Sequence, residues 1–193
     1  FEAQGLVANS NNPTITGWTT GAGNWFQIVS SVGSPSLAAE DDDYFLAGGD
    51  DGSATQKDYT ITQTRLVSQI PLLTPARVLL GKYVGKLAVN VGFFGNPSTS
   101  KATVKLEMLN SSNVVIDTYY AINDANFSNT PSVWIDQEVV FSVPALTHSF
   151  RITLIAHSPT GDSYARVGFD NVRMYLFDAE RPAKHDPIST SPI

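Results

Sequence analysis

Apolar residues recur at every second position along most of this chain, and a period of two is that of half-buried strands, not of helices. Ala102, Val104, Leu106 and Met108 alternate with Thr103, Lys105 and Glu107. Leu87, Val89, Val91 and Phe93 alternate with smaller or polar residues, and Phe150, Ile152, Leu154 and Ala156 alternate with Arg151, Thr153 and His157. Further strands are expected over 25–29, 44–47, 59–67, 114–120 and 133–143. Turn-forming clusters separate them: Gly21-Ala22-Gly23, Gly48-Gly49-Asp50-Asp51-Gly52, Gly95-Asn96-Pro97, Asn110-Ser111-Ser112-Asn113 and Ser158-Pro159-Thr160-Gly161-Asp162. About ten strands at such spacing predict an all-β fold, an antiparallel β-sandwich of the jelly-roll kind, with a closed barrel as the lesser alternative. The sandwich is expected over 1–178. The segment 179–193 is Pro-rich and poor in apolar residues, and reads as a linker or an extended arm.

At 193 residues the chain is long enough for one large domain that needs no disulfide, and it has no cysteine. That excludes thiolate metal sites. Only 16% of residues are charged, so Ser, Thr, Asn and Gly supply much of the polar surface, a tendency of extracellular and virion β proteins. The net charge is −6 and no run of Lys or Arg exists, which argues against nucleic-acid binding by phosphate neutralisation. No apolar run approaches the ~20 residues needed to span a bilayer as a helix. A start at Phe1, with no initiator Met and no signal peptide, points to a processed or excised chain.

The last strand changes parity. Ala165, Val167 and Phe169 are apolar at odd positions, whereas Val172, Met174 and Leu176 are apolar at even ones. Such a switch requires one extra residue, so a β-bulge is expected at Asp170-Asn171, re-aiming the carboxylate of Asp170.

Asp170 has a counterpart at the other end of the chain. Phe1-Glu2 and Phe169-Asp170 each place an acid after a Phe in an apolar stretch. Two carboxylates brought together repel unless a cation or an Arg lies between them. A calcium ion, which accepts irregular oxygen geometry, or Arg173 would serve. The run Glu40-Asp41-Asp42-Asp43 precedes a strand. Most of it reads as a solvated loop, with Asp43, nearest the strand, as the expected exception and a further calcium ligand. Asp50-Asp51-Gly52 reads as a turn. Trp18 and Trp25 are expected in the core. Tyr119 and Tyr120 are adjacent on a strand, so one of them should face outward. With Asn123 nearby, they form a candidate surface for a sugar or a protein partner.

Catalytic motifs are missing: no Gly-x-Ser-x-Gly, His-Glu-x-x-His or P-loop occurs, and His148, His157 and His185 are dispersed. Asp136 and Glu138 share a strand face at a spacing of about 7 Å, and such carboxylates are usually solvated. Asn110-Ser111-Ser112 and Asn126-Phe127-Ser128 are sequons, meaningful only for a chain secreted by a eukaryote.

Phe1-Glu2, Thr16-Gly17-Trp18, Asn24-Trp25, Tyr44-Phe45-Leu46-Ala47-Gly48-Gly49, Val133-Trp134 and Phe169-Asp170-Asn171-Val172 occur in that order. The set resembles the galactose-binding-like jelly rolls, which include carbohydrate-binding modules of secreted glycosidases and the MAM adhesion domains. The resemblance implies a structural calcium held by Glu2 and Asp170, with backbone carbonyls completing its shell. MAM domains usually carry cysteines, and this chain departs from them there. The expectation is a non-catalytic carbohydrate-binding module of a secreted or virion protein. Its partner would be a glycan or a protein, with no nucleic acid and no membrane insertion, and a homo-oligomer or larger assembly is open to it. A structural or adhesion domain that binds no sugar is the alternative, and a hydrolase using a carboxylate pair ranks last.

Overall fold

A computed structural model describes residues 10–11, 15–21, 26–29, 31–32, 37–40, 45–48, 57–71, 73–94, 100–125, 132–159, 165–180 and 188–189. Its strands are β1 (Ser10–Asn11), β2 (Trp18–Thr20), β3 (Phe26–Val29), β4 (Ser31–Val32), β5 (Leu37–Ala38), β6 (Phe45–Gly48) and β7 (Lys57–Leu66). A 3-10 turn (Val67–Gln69) and a short helix, α1 (Pro75–Leu79), follow. The chain continues with β8 (Tyr83–Phe93), β9 (Lys101–Leu109), β10 (Val115–Ala125), β11 (Trp134–Ser142), β12 (Ser149–Ser158), β13 (Val167–Asp178) and β14 (Ile188–Ser189).

Two antiparallel sheets pack face to face, as the alternation predicts. The larger has seven strands in the order β1-β3-β6-β13-β8-β11, with β14 added alongside β13. The smaller has five, in the order β10-β9-β12-β7-β2. The pair β4-β5 forms a separate hairpin. Between the sheets lie the alternate residues of each strand. Leu87, Val89, Val91 and Phe93 meet Val104, Leu106, Met108, Ile152 and Leu154 in one apolar cluster. Trp18 belongs to this core, as expected, and Trp25 lies outside the described residues.

Helix α1 is absent from the sequence expectation. Pro75 occupies its first turn, where a fixed φ suits the helix and no N–H is needed. Five residues are too few to display a helical period. The strands β1, β2, β4, β5 and β14 escape for the same reason, since two or three residues carry no alternation. Ile188 and Ser189 of the tail pair with Leu176 and Tyr175 of β13 in the same chain. Glu180 forms ion pairs with Lys82 and, at 3.6 Å, with Arg77. The described part of the tail therefore returns to the sheet. Among the described residues no helix is long and apolar enough to cross a membrane.

The bulge stands where the parity switch puts it. Asp170 pairs with Asn90 and Arg173 with Ala88, so Asn171 and Val172 oppose Val89 alone. Asn171 takes φ 53°, in the left-handed region. Its N–H donates to Asp170 Oδ1 at 2.8 Å. Asn tolerates that conformation better than most side chains, and a β-branched residue tolerates it worst. Asn171→Gly is expected to leave stability nearly unchanged, whereas Asn171→Val should cost about 1–2 kcal/mol in urea denaturation.

The outer face of the smaller sheet carries a polar ladder. Its best-buried ion is Glu107, which accepts from Arg151 Nε at 2.9 Å and from Lys105 Nζ at 3.0 Å. Burial by itself would raise the Glu107 pKa, but the hydrogen bonds from Arg151 and Lys105, with their charges, outweigh it and hold the carboxyl below its ordinary 4.5. In that range the unfolded chain binds more protons than the folded one. The stabilisation is therefore complete above about pH 4.5 and is lost as pH falls through the lowered value. Glu107→Gln should cost about 1–2 kcal/mol at pH 7. Parallel denaturation curves at about pH 3 should show the gap between the two proteins narrowed.

Candidate binding groove

β13, β8 and β11 lie side by side, and their registers arrange the outward-facing residues in rows across the larger sheet. The first row is Gly168, Gly92 and Trp134; the second is Asp170, Asn90 and Asp136. Past the bulge the third is Arg173, Ala88 and Glu138, and the fourth is Tyr175, Lys86 and Val140. Phe177, Val84 and Ser142 make the fifth. A groove of about 660 Å³ runs over the rows from the second onward, lined among others by Glu40, Asn90, Asp136, Glu138, Arg173 and Tyr175. Ala88 is the small residue on its floor, between the longer Arg173 and Glu138.

The second row is densely hydrogen-bonded. The Asn90 amide donates to Glu40 Oε2, and to Asp136 Oδ1 at 2.5 Å. Asp170 is 5% exposed, and its Oδ2 accepts the Glu40 backbone N–H at 3.3 Å. Lower in the groove Lys86 Nζ donates to Glu138 Oε2 at 3.0 Å and lies 5.9 Å from the centroid of the Tyr175 ring.

The first row is covered. Leu37, Phe45, Val29, Ala47 and Phe94 form a second apolar cluster on the outer face, with Trp134 packed against it. Leu37 rests on the two glycines. A Cβ on Gly92 would meet Leu37 Cδ2 at 2.6 Å, and one on Gly168 would meet Phe45 Cε2 at 2.9 Å. Trp134 stands edge-on to Phe45, with centroids 5.1 Å apart, and its Nε1 donates to the Ala38 carbonyl at 2.7 Å. Those contacts fasten β5, and Glu40 follows two residues later.

Of the residues expected to form sites, Glu2 and Asp43 lie outside the described residues, and Asp170 is nearly buried beside Asn90 in the second row. Among the described residues no group of three or more acidic or His side chains is close enough to hold a metal ion. Tyr119 and Tyr120 point to opposite sides. Tyr120 is 45% exposed, whereas the Tyr119 ring packs at 5.9 Å from that of Phe141. Burial raises the Tyr119 pKa, and a hydrogen bond to Asp117 raises it further. Asn123 is exposed on the same strand, β10, at the edge of the smaller sheet and away from the groove. Asp136 and Glu138 are exposed as expected, but they are groove walls with partners in the neighbouring strand.

Asn90, Lys86 and Tyr175 were not singled out by the sequence, and Arg173 was named only as a counter-charge for the two carboxylates. The signal for them was present: each lies at the outward parity of a strand whose other parity is core. Finding them also required the pairing of β13 with β8 and of β8 with β11, which joins segments far apart in the chain.

No profile of a protein family matches this chain, and no curated sequence does. Its fold is similar to that of solved structures. A Stig cyclase of Fischerella sp. TAU matches with TM-score 0.55 and 19% identity, over 91% of this chain and 92% of the cyclase. The enzymatically active domain of tailspike protein 4 of bacteriophage CBA120 matches with TM-score 0.52 and 14% identity, over 85% of this chain. The CBM22-1–GH10 modules of Clostridium thermocellum endo-1,4-β-D-xylanase 10B, complexed with xylohexaose, match with TM-score 0.50 and 11% identity, over 82% of this chain. The chain spans 20% of the tailspike chain and 26% of the xylanase chain. At these identities the likeness is one of fold.

Proposed function

We propose that this domain is a non-catalytic glycan-binding module of a secreted or virion protein, with its ligand in the groove on the larger sheet. The observation that carries the reading is the convergence of aromatic and planar polar side chains in one groove built on paired strands. A sugar ring offers an apolar C–H face and a rim of hydroxyls. Tyr175 and Phe177 offer apolar ring surface, and Asn90, Asp136, Glu138 and Arg173 offer donors and acceptors beside it. Strand backbone holds such groups more exactly than a loop would. The fold similarity to a xylanase solved with xylohexaose and to a tailspike supports the reading at the level of architecture.

Hydrolysis fits less well. Glu40 and Asp136 share the Asn90 amide, but both are exposed, whereas a carboxyl acting as general acid is ordinarily shielded from water. Tyr120 and Asn123 remain a second proposed contact surface, exposed on β10. Glycan-array screening followed by calorimetry tests the assignment. Tyr175→Ala is expected to weaken binding by about 1–3 kcal/mol with little loss of stability. A loss of that size in Tyr120→Ala, with Tyr175→Ala unaffected, would move the site to β10.

A structural calcium ion is part of the proposal, with Glu2, Asp43 and Asp170 as its side-chain ligands. Asp170 suits the role. It is a nearly buried carboxylate whose position is fixed by backbone N–H groups on both oxygens, and hard oxygen donors are what calcium takes. An ion that binds only the folded chain raises stability by about 2.7 kcal/mol at a hundredfold excess over Kd. The melting temperature in millimolar calcium should exceed that in chelator for the native chain, and the difference should vanish in Asp170→Ala. Equal melts of the native chain in both conditions would remove the ion from the proposal.

A further inference from the structure

We propose that the groove receives the end of a glycan chain and not its interior, an inference that rests on the glycan reading above. The groove is closed at its head. Past Asn90 and Asp170 the next outward positions are Gly92 and Gly168, and Leu37 and Phe45 fill the space above them. Trp134 and the Ala38 carbonyl complete that wall through their 2.7 Å hydrogen bond. Glu40, at the foot of the wall, is tied to Asp170 through its N–H and to Asn90 through its carboxylate. A polysaccharide running along the strands would have to pass through this packed cluster.

Among the described residues no comparable wall stands at the other end. Val140 is 67% exposed and Ser142 is exposed, both at the outward parity of β11. Successive rows are about 7 Å apart along a strand, so the second to fifth rows span about 20 Å, room for a short run of sugars. A chain that enters there places its last residue at the second row and leaves over Tyr175 and Phe177.

The chemistry of the closed end selects for a terminus in the same way. Glu40 and Asp136 present carboxylate oxygens, which accept hydrogen bonds and do not donate them when ionised. A terminal sugar carries a free hydroxyl at the position where an internal sugar carries a glycosidic oxygen. The hydroxyl can donate to a carboxylate, whereas the glycosidic oxygen is an acceptor and would be repelled. Steric closure and hydrogen-bond polarity thus exclude the same ligand.

The test uses xylan, β-1,4-galactan, mannan and cellulose, each intact and after partial acid hydrolysis to raise the number of chain ends at constant mass. Binding capacity per gram should rise in proportion to the ends. O-methylation of the terminal hydroxyl of the matching oligosaccharide should weaken binding at least tenfold. Glu40→Gln keeps the shape of the side chain and adds a donor, so that penalty should shrink severalfold while the melting temperature holds. Capacity that stays constant through hydrolysis, with binding retained, would overturn end recognition and leave the glycan reading standing. Failure of every polysaccharide and hydrolysate to bind would remove both.

Discussion

One additional residue in β13 organises the outer face of the larger sheet. Without the bulge, a strand with Val167 and Phe169 in the core would also turn Asn171, Arg173 and Tyr175 inward and expose Val172, Met174 and Leu176. With it, both halves of the strand keep their apolar residues inside. Asp170 and Arg173 then face outward with only one residue of β8 between their partners. The free energy that fixes the register is the burial of Phe169, Val172, Met174 and Leu176. The groove above them is positioned by apolar packing beneath the sheet.

A second dependence runs through two glycines. Gly92 and Gly168 are paired across β8 and β13, and the missing side chains let Leu37 descend onto the sheet. The cluster that results turns an open sheet surface into a groove with a head. It also explains why Trp134, on an edge strand, is only partly exposed: its ring closes that cluster and its Nε1 is satisfied by Ala38.

Much of the architecture could be read from the chain. The alternation in β8, β9 and β12 and the turn clusters between strands gave the sandwich, because a buried face imposes its period directly on the residues. The bulge was legible for the same reason, since a parity change in Ala165 to Leu176 has no other regular explanation. The groove was not legible. Asn90, Glu40 and Asp136 meet through strand pairing and through the seating of Leu37, and neither leaves a local mark. Outward-facing, half-buried positions such as Lys86 or Tyr175 are constrained by no core, so nothing in the sequence separates a site residue there from an ordinary surface residue. The Tyr119-Tyr120 pair illustrates the limit. Alternation shows that one ring faces outward, but not that it lies on an edge strand remote from the groove.

The row arrangement has a consequence for how such a domain can diversify. Lys86, Asp136, Glu138, Arg173 and Tyr175 sit at the parity opposite to the core, so the apolar burial that holds their strands belongs to their neighbours in sequence. Exchanging Lys86, Glu138, Arg173 or Tyr175 alters the chemistry of the face without repacking the interior. The chemistry of this face and the folding of the sheet are thereby encoded in interleaved but separate sets of positions.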